Sequence, residues 1–355
     1  MENKMMCSVC GKEENRYEMV KLNGEWLCVD CLDERYFYCE EHRDYEPIEN
    51  RVEITDVYDN CRVMCQEAFD ENYITCDECG RPMRKGDEYV MGDDVLCSHC
   101  YEERKVIKYY HYHHGQELHF HGTPSNGIFF GLEIESERDY NCDLDRNVIA
   151  LSVQNKVGSD KVYFEEDGSL DDGFETITYP MSYEFMRNNS VVEDILETLR
   201  GNEMYASDRC GLHIHVTKTD EVVKAMPLIL SFLESNKNDI VDFSRRTYDS
   251  FTEWCDFYTE EDLLTAYEAE RICLRPQGRR HMCINFTNEH TIEFRCFAGT
   301  LNAKRVYGYI EFILALIENI EHLFSIKENP TFKDLEKVSG FDLFNHMADI
   351  VAARC

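Results

Sequence analysis

The stretch GIFFGLEIES, Gly127 to Ser136, alternates apolar and acidic residues from Leu132 to Glu135. In an extended strand residues i and i+2 share a face. Glu133 and Glu135 therefore point one way, and Leu132 and Ile134 the other. The pattern returns in GLHIHVT from 211, which pairs His213 with His215, and in TIEFRCF from 291, which pairs Glu293 with Arg295. VYFEED from 162, GFETITY from 173 and MCINFT from 282 are further β-type runs. Amphipathic helices are expected near 181–200, 219–235, 260–272, 303–323 and 341–353, so the class is α+β.

Charge on one face of a sheet is costly unless water or a cation neutralises it. Each pair alone fits a half-exposed strand facing solvent. Three pairs together with Asp167 and Glu175 point instead to a site for metal and phosphate. Mg²⁺ takes carboxylate oxygens, and Mn²⁺ accepts imidazole as well. Neither of the glycine-rich phosphate loops, GxxxxGK[ST] or GxGxxG, occurs.

The first hundred residues read differently. Cys7-x2-Cys10 and Cys28-x2-Cys31 are separated by 17 residues, as are Cys76-x2-Cys79 and Cys97-x2-Cys100. CSVCGK…NGEWLCVDC parallels CDECGR…MGDDVLCSHC at an offset of 69, an internal repeat. Two CxxC turns brought together supply the four soft ligands of a tetrahedral zinc. Between the repeats lie Cys39-x2-His42 and Cys61-x3-Cys65. Eleven cysteines and His42 divide into three four-ligand structural zinc sites: all-cysteine, three cysteines with one histidine, all-cysteine. Such small lobes cannot build a large core, and metal substitutes for it. The modules resemble treble-clef and LIM-type fingers, and their surface is a candidate dock for a partner.

Residues 1–106 are thus expected to hold the zinc modules and 127–355 a second domain. Residues 107–126 would be an extended linker or a leading strand. KYYHYHHGQELHFHG (Lys108 to Gly122) belongs to this linker; its tyrosine–histidine alternation suits an extended segment better than a metal site. The remaining seven cysteines are scattered, which fits free thiols in a reducing, cytoplasmic setting. The longest apolar stretch, Val306 to Ile317, contains Glu311 and is too short for a membrane. With 37 basic against 70 acidic residues, a net charge of −33 argues against general nucleic-acid binding. Arg275, Arg279 and Arg280 remain a local basic group for a phosphorylated small molecule.

FFGLEIE, EEDGSLDDGFETITYP, CGLHIHV, INFT and TIEFRCFAGTLN, in that order, resemble the amidoligase family, itself similar to glutamine synthetase and glutamate–cysteine ligase. The likeness covers residues 108–325. It implies a glutamine-synthetase-like curved antiparallel sheet with outer helices, binding ATP and two or three Mg²⁺ ions. By that resemblance Glu133, Glu135, Asp167, Glu175, His213 and Glu293 are Mg²⁺ (or Mn²⁺) ligands. Glu175 and Arg295 are catalytic, Arg295 acting on the transferred phosphate, and Arg279 or Arg280 clamps phosphate. Glu166 competes with Asp167, since neighbours in a strand face opposite ways.

The activity so implied is ATP-dependent ligation of a carboxylate to an amine through an acyl phosphate. A protein or peptide would be the acceptor if the zinc modules dock one. Segments after Tyr179 or around 244–258 are candidate covers for the site, which is expected to be self-contained in one domain. The alternative is a zinc-finger adaptor whose ligase-like domain binds a nucleotide without turnover. A phosphoryl-transfer or hydrolytic activity on the same scaffold is a third reading.

Overall fold

The computed structural model describes residues 4–110, 117–247, 255–258 and 281–340. The chain divides into two compact units, Met1–Lys105 and Val106–Cys355.

The first unit repeats one motif three times, where the sequence shows two. Each copy is a knuckle hairpin, a second hairpin and a seven-residue helix. The knuckle hairpins pair Lys4–Met6 with Glu13–Asn15, Tyr36–Cys39 with Asp44–Pro47, and Tyr73–Thr75 with Pro82–Arg84. The second hairpins pair Met19–Leu22 with Glu25–Cys28, Arg51–Thr55 with Cys61–Cys65, and Tyr89–Met91 with Asp94–Leu96. The helices are Val29–Arg35, Gln66–Asn72 and Ser98–Arg104, preceded by Cys28, Cys65 and Cys97. Each knuckle closes on a left-handed residue: Gly11 (φ 73°), Arg43 (φ 56°) and Gly80 (φ 69°). Glycine adopts that conformation without a Cβ penalty, whereas arginine does not.

The second unit is built on an eight-stranded sheet. Its strands are β1 (Ile107–Lys108), β2 (Phe130–Arg138), β3 (Val162–Glu165), β4 (Gly173–Thr178), β5 (Met204–Tyr205), β6 (Gly211–Thr217), β7 (Ile284–Asn285) and β8 (Thr291–Ala298). Their order is β1-β3-β4-β2-β6-β8-β7, with β5 beside β2. All pairings are antiparallel except β1 with β3. Residues 107–108, read as the start of a linker or leading strand, thus form an edge of the sheet.

Alternation along the strands divides the two faces. Leu132, Ile134, Phe164, Phe174, Leu212, Ile214, Ile292 and Phe294 are buried in one core. Helices Arg146–Val157, Val191–Gly201, Asp220–Ser235 and Ala303–Ile326 contribute Ile149, Leu196, Ile229 and Ile313 to it. Burying such side chains stabilises by roughly 1.5–3 kcal/mol each, which fixes which face of each strand turns inward. The architecture is α+β.

The helix expected over 181–200 is two helices, Tyr183–Asn188 and Val191–Gly201, broken where Ser190 turns left-handed at φ 51°. Arg146–Val157, Lys237–Ser244 and Phe332–Ser339 are helices beyond those expected. The helices expected at 260–272 and 341–353 lie outside the described residues. Among the described residues no helix is long and apolar enough to cross a membrane.

Candidate active site and metal clusters

The face of the sheet turned away from the core gathers the charged residues. Antiparallel register sets Glu133 of β2 opposite His213 of β6, Glu135 opposite Glu175 of β4, and His215 opposite Glu293 of β8. Directly opposed residues in such a pair have neighbouring Cβ atoms on one face. A bulge between β6 and β8 places two residues, Arg295 and Cys296, against His213 alone. Alternation keeps Arg295 on the charged side with Glu293, and past the bulge Cys296 and Phe297 both lie in the core.

His213 lies at the centre. Its Nδ1 is 2.9 Å from Glu133 Oε2 and 3.6 Å from Glu293 Oε1, and its Nε2 is 3.5 Å from Glu135 Oε1. Two groups of donor atoms meet there, Glu133–His213–Glu293 and Glu135–Glu175–His213, each with its atoms within 4.8 Å of one another. Glu135, Glu175, His213 and Glu293 are buried. His215 Nε2 lies 2.9 Å from the other oxygen of Glu133, and Thr291 Oγ1 lies 3.0 Å from His215 Nδ1. Asn285 donates to Glu293 Oε2 at 2.8 Å, and the Gly211 amide donates to Glu135 Oε2 at 2.5 Å.

The electrostatics follow from this crowding. Burial together with Glu133, Glu135 and Asp167 pushes the Glu175 carboxyl well above the ordinary range. Glu133 is held well below it: burial opposes ionisation, but the charge of His215 and hydrogen bonds from His213 and His215 outweigh it. His215 is raised to about 9, because the attraction of Glu133 and Glu293 exceeds the cost of burial. Glu293 is lowered in spite of burial by His215, His213 and Arg295. Four carboxylates around one imidazole form a hard-oxygen donor set suited to Mg²⁺ or Mn²⁺.

A pocket of ≈ 340 Å³ opens against this face, with Glu135, Asp167, His213, Arg246 and Arg295 in its wall. Arg295 donates to Glu293 through Nη1. Its buried Nε has no hydrogen-bond partner among the described residues. Of the two adjacent acids, Asp167 lines the pocket, whereas Glu166 sits 3.9 Å from Arg146. Glu133, Glu135, Asp167, Glu175, His213, Glu293 and Arg295 are thus brought together; Arg279 and Arg280 lie outside the described residues. Residues 248–254 of the expected cover do too.

Sequence reading missed Arg246. It is buried, donates through Nε to Phe297 O at 3.2 Å, and reaches the pocket from the segment after helix Lys237–Ser244. No periodicity marks it; the doublet Arg245–Arg246 was the only available signal. His281 and Arg209 also line the pocket without a motif of their own.

In the first unit, Cys7, Cys10, Cys28 and Cys31 form one cluster of potential metal ligands and Cys76, Cys79, Cys97 and Cys100 another. The middle cluster is Cys39, His42 and Cys65. Cys61, expected as its fourth ligand, stands apart and is exposed. The reason is local: Cys61 and Cys65 begin and end one strand, and four steps at roughly 3.3 Å each separate them by about 13 Å. A x3 spacing in a turn would have brought them together. In a strand it cannot. Each cluster can hold zinc, and the middle one departs from the expectation that every site has four protein ligands.

No curated protein matches the chain. Residues 129–317, just over half of its 355, match the family described as "Putative amidoligase enzyme". The matched span runs from the strand before Glu133 to the helix beyond Arg295 and so contains every acidic, histidine and arginine residue of the charged face. On that match, over a span that carries the whole site, the chain belongs to the amidoligase family.

Proposed function

We propose that this protein is an ATP-dependent ligase that joins a carboxylate to an amine through an acyl phosphate. The observation that carries the reading is the unpartnered, buried Nε of Arg295 beside the four-carboxylate cluster. A cluster so rich in negative charge needs cations, and a buried guanidinium with a free N–H needs an anion. A metal-bound triphosphate is both. The reading takes the sheet as a glutamine-synthetase-like one, with its bare face as the nucleotide floor.

Glu133, Glu293 and one side of His213 would hold one divalent cation, and Glu135 with Glu175 a second. Bound there, Mg²⁺ would neutralise charge on the transferring phosphoryl group. Arg295, and with it Arg246 on the same wall, would bind phosphoryl oxygens. These residues would hold the substrate carboxylate in line with the γ-phosphorus; such positioning can lower a barrier by ~7–11 kcal/mol. The carboxylate oxygen bonds to phosphorus as the bond to ADP breaks. The amine nitrogen then bonds to the acyl carbon, phosphate departs, and the amine loses a proton.

A thermal-melt titration with Mg²⁺ and ATP, comparing wild type with Glu133→Gln and Glu293→Gln, tests the reading. At ~100 times its dissociation constant a ligand stabilises by roughly 2.7 kcal/mol. A magnesium-dependent rise absent in both variants, followed by ADP and amide formation with an amine panel, is expected. No shift at saturating nucleotide overturns the proposal.

A further inference from the structure

The ligands of the three N-terminal copies correspond one for one, and the middle copy lacks a single sulfur. The first knuckle ligand is Cys7, Cys39 or Cys76; its sulfur accepts the amide N–H of Cys28, Cys65 or Cys97 at 3.4, 3.4 and 3.3 Å. The second is Cys10, His42 or Cys79. In each copy the third ligand immediately precedes a seven-residue helix. The fourth stands three residues later, in the first turn: Cys31, then Ala68, then Cys100. All three of these positions are buried.

The middle copy keeps the spacing of a metal site without that fourth sulfur. Cys39 Sγ and Cys65 Sγ are 3.8 Å apart, and His42 Nδ1 is 3.4 Å from Cys65 Sγ. Those are the edge lengths of a tetrahedron with Zn–S near 2.3 Å and Zn–N near 2.0–2.1 Å. Among the described residues no further histidine, cysteine or acid stands within 4.8 Å of all three. A carboxylate oxygen, Glu46 Oε1, lies 3.3 Å from His42 Nδ1.

We propose that the middle module holds a zinc with three protein ligands, Cys39, His42 and Cys65, and an exchangeable oxygen ligand in the fourth position, and that this is the labile metal of the chain. The oxygen comes from water or from the Glu46 carboxylate. Cys61 takes no part. The two all-cysteine sites are closed, whereas this one can exchange its oxygen ligand without breaking a bond from zinc to sulfur or imidazole.

The test uses the full-length zinc protein and a chromophoric chelator in excess. Elemental analysis should find three zinc per chain, and release should be biphasic, one metal leaving before the other two. Ala68→Cys supplies the missing sulfur and should move the first metal into the slow phase, slowing it roughly tenfold or more. Cys61→Ser should leave both the metal count and the phases unchanged, a readout that stands even if Ala68→Cys does not fold. A faster first phase in Glu46→Gln assigns the oxygen to Glu46, and an unchanged one assigns it to water; both support an oxygen ligand. Loss of a zinc in Cys61→Ser, two zinc in the wild type, or release of all three in one phase overturns the proposal.

Discussion

Gly211 and His213 lie on the same face of β6, and a Cβ on Gly211 would stand 2.8 Å from His213 Nε2. The same atom would stand 2.7 Å from Arg246 Nη2. Both contacts are shorter than real Cβ atoms show, so only glycine here leaves room for these two side chains of the candidate site. Gly211→Ala should leave the melting temperature of the second unit nearly unchanged and displace His213 and Arg246. A displacement of about 1 Å can cost about 10²-fold in rate. Turnover of ATP with an amine acceptor would measure the loss, and wild-type rates in the variant would show that the neighbours yield freely.

Burial and three neighbouring acids push the Glu175 carboxyl well above the ordinary range, which favours its holding a proton. A cation that takes it as a ligand must expel that proton. Divalent-metal affinity should therefore rise with pH, by up to about tenfold per unit while Glu175 titrates. Mn²⁺ titrations by calorimetry in buffers of different ionisation enthalpy would count the released proton. Glu175→Gln should abolish the release, and a pH-independent affinity would contradict it.

His215 makes the stability of the fold depend on pH. Its folded pKa is raised from 6.5 to about 9. The stabilisation this represents is fully present below the unfolded value and is lost as pH rises through the folded one. Between pH 6.5 and 9, without divalent cations, wild type should lose on the order of 3 kcal/mol more than His215→Asn. Melts at a series of fixed pH values would show the two curves converging. Parallel curves would sink the prediction.

Arg43 occupies the left-handed position that Gly11 and Gly80 fill in the flanking knuckles. An L-residue there carries roughly 1–2 kcal/mol of strain, and glycine returns part of that as unfolded-chain entropy of about 0.5–1 kcal/mol. Arg43→Gly should raise the stability of the zinc-loaded protein by about 0.5–1 kcal/mol. Thermal melting checks the sign.

What the sequence disclosed follows the range of each interaction. The period-two alternation around Glu133, His213 and Glu293 is a property of single strands, so the shared face was readable before their order in the sheet. Which acid faces which histidine depends on register, and register depends on long-range pairing. Arg246 reaches the pocket from a loop whose path is set by tertiary packing, and no local pattern points to it. The middle copy of the N-terminal motif is hidden for a plainer reason. Cysteines mark the repeat, and Ala68 removes one while Cys61, in the wrong local structure, supplies a decoy.

The two-faced sheet separates two kinds of motion. Opening the core means lifting helices such as Ala303–Ile326 from Ile214 and Phe294, a cooperative event on the scale of global unfolding. Solvent and small ions reach Glu133 and His215 from the other side, with every helix in place. Amide hydrogens along β2 and β6 can therefore stay protected while small ions exchange far faster on the open face.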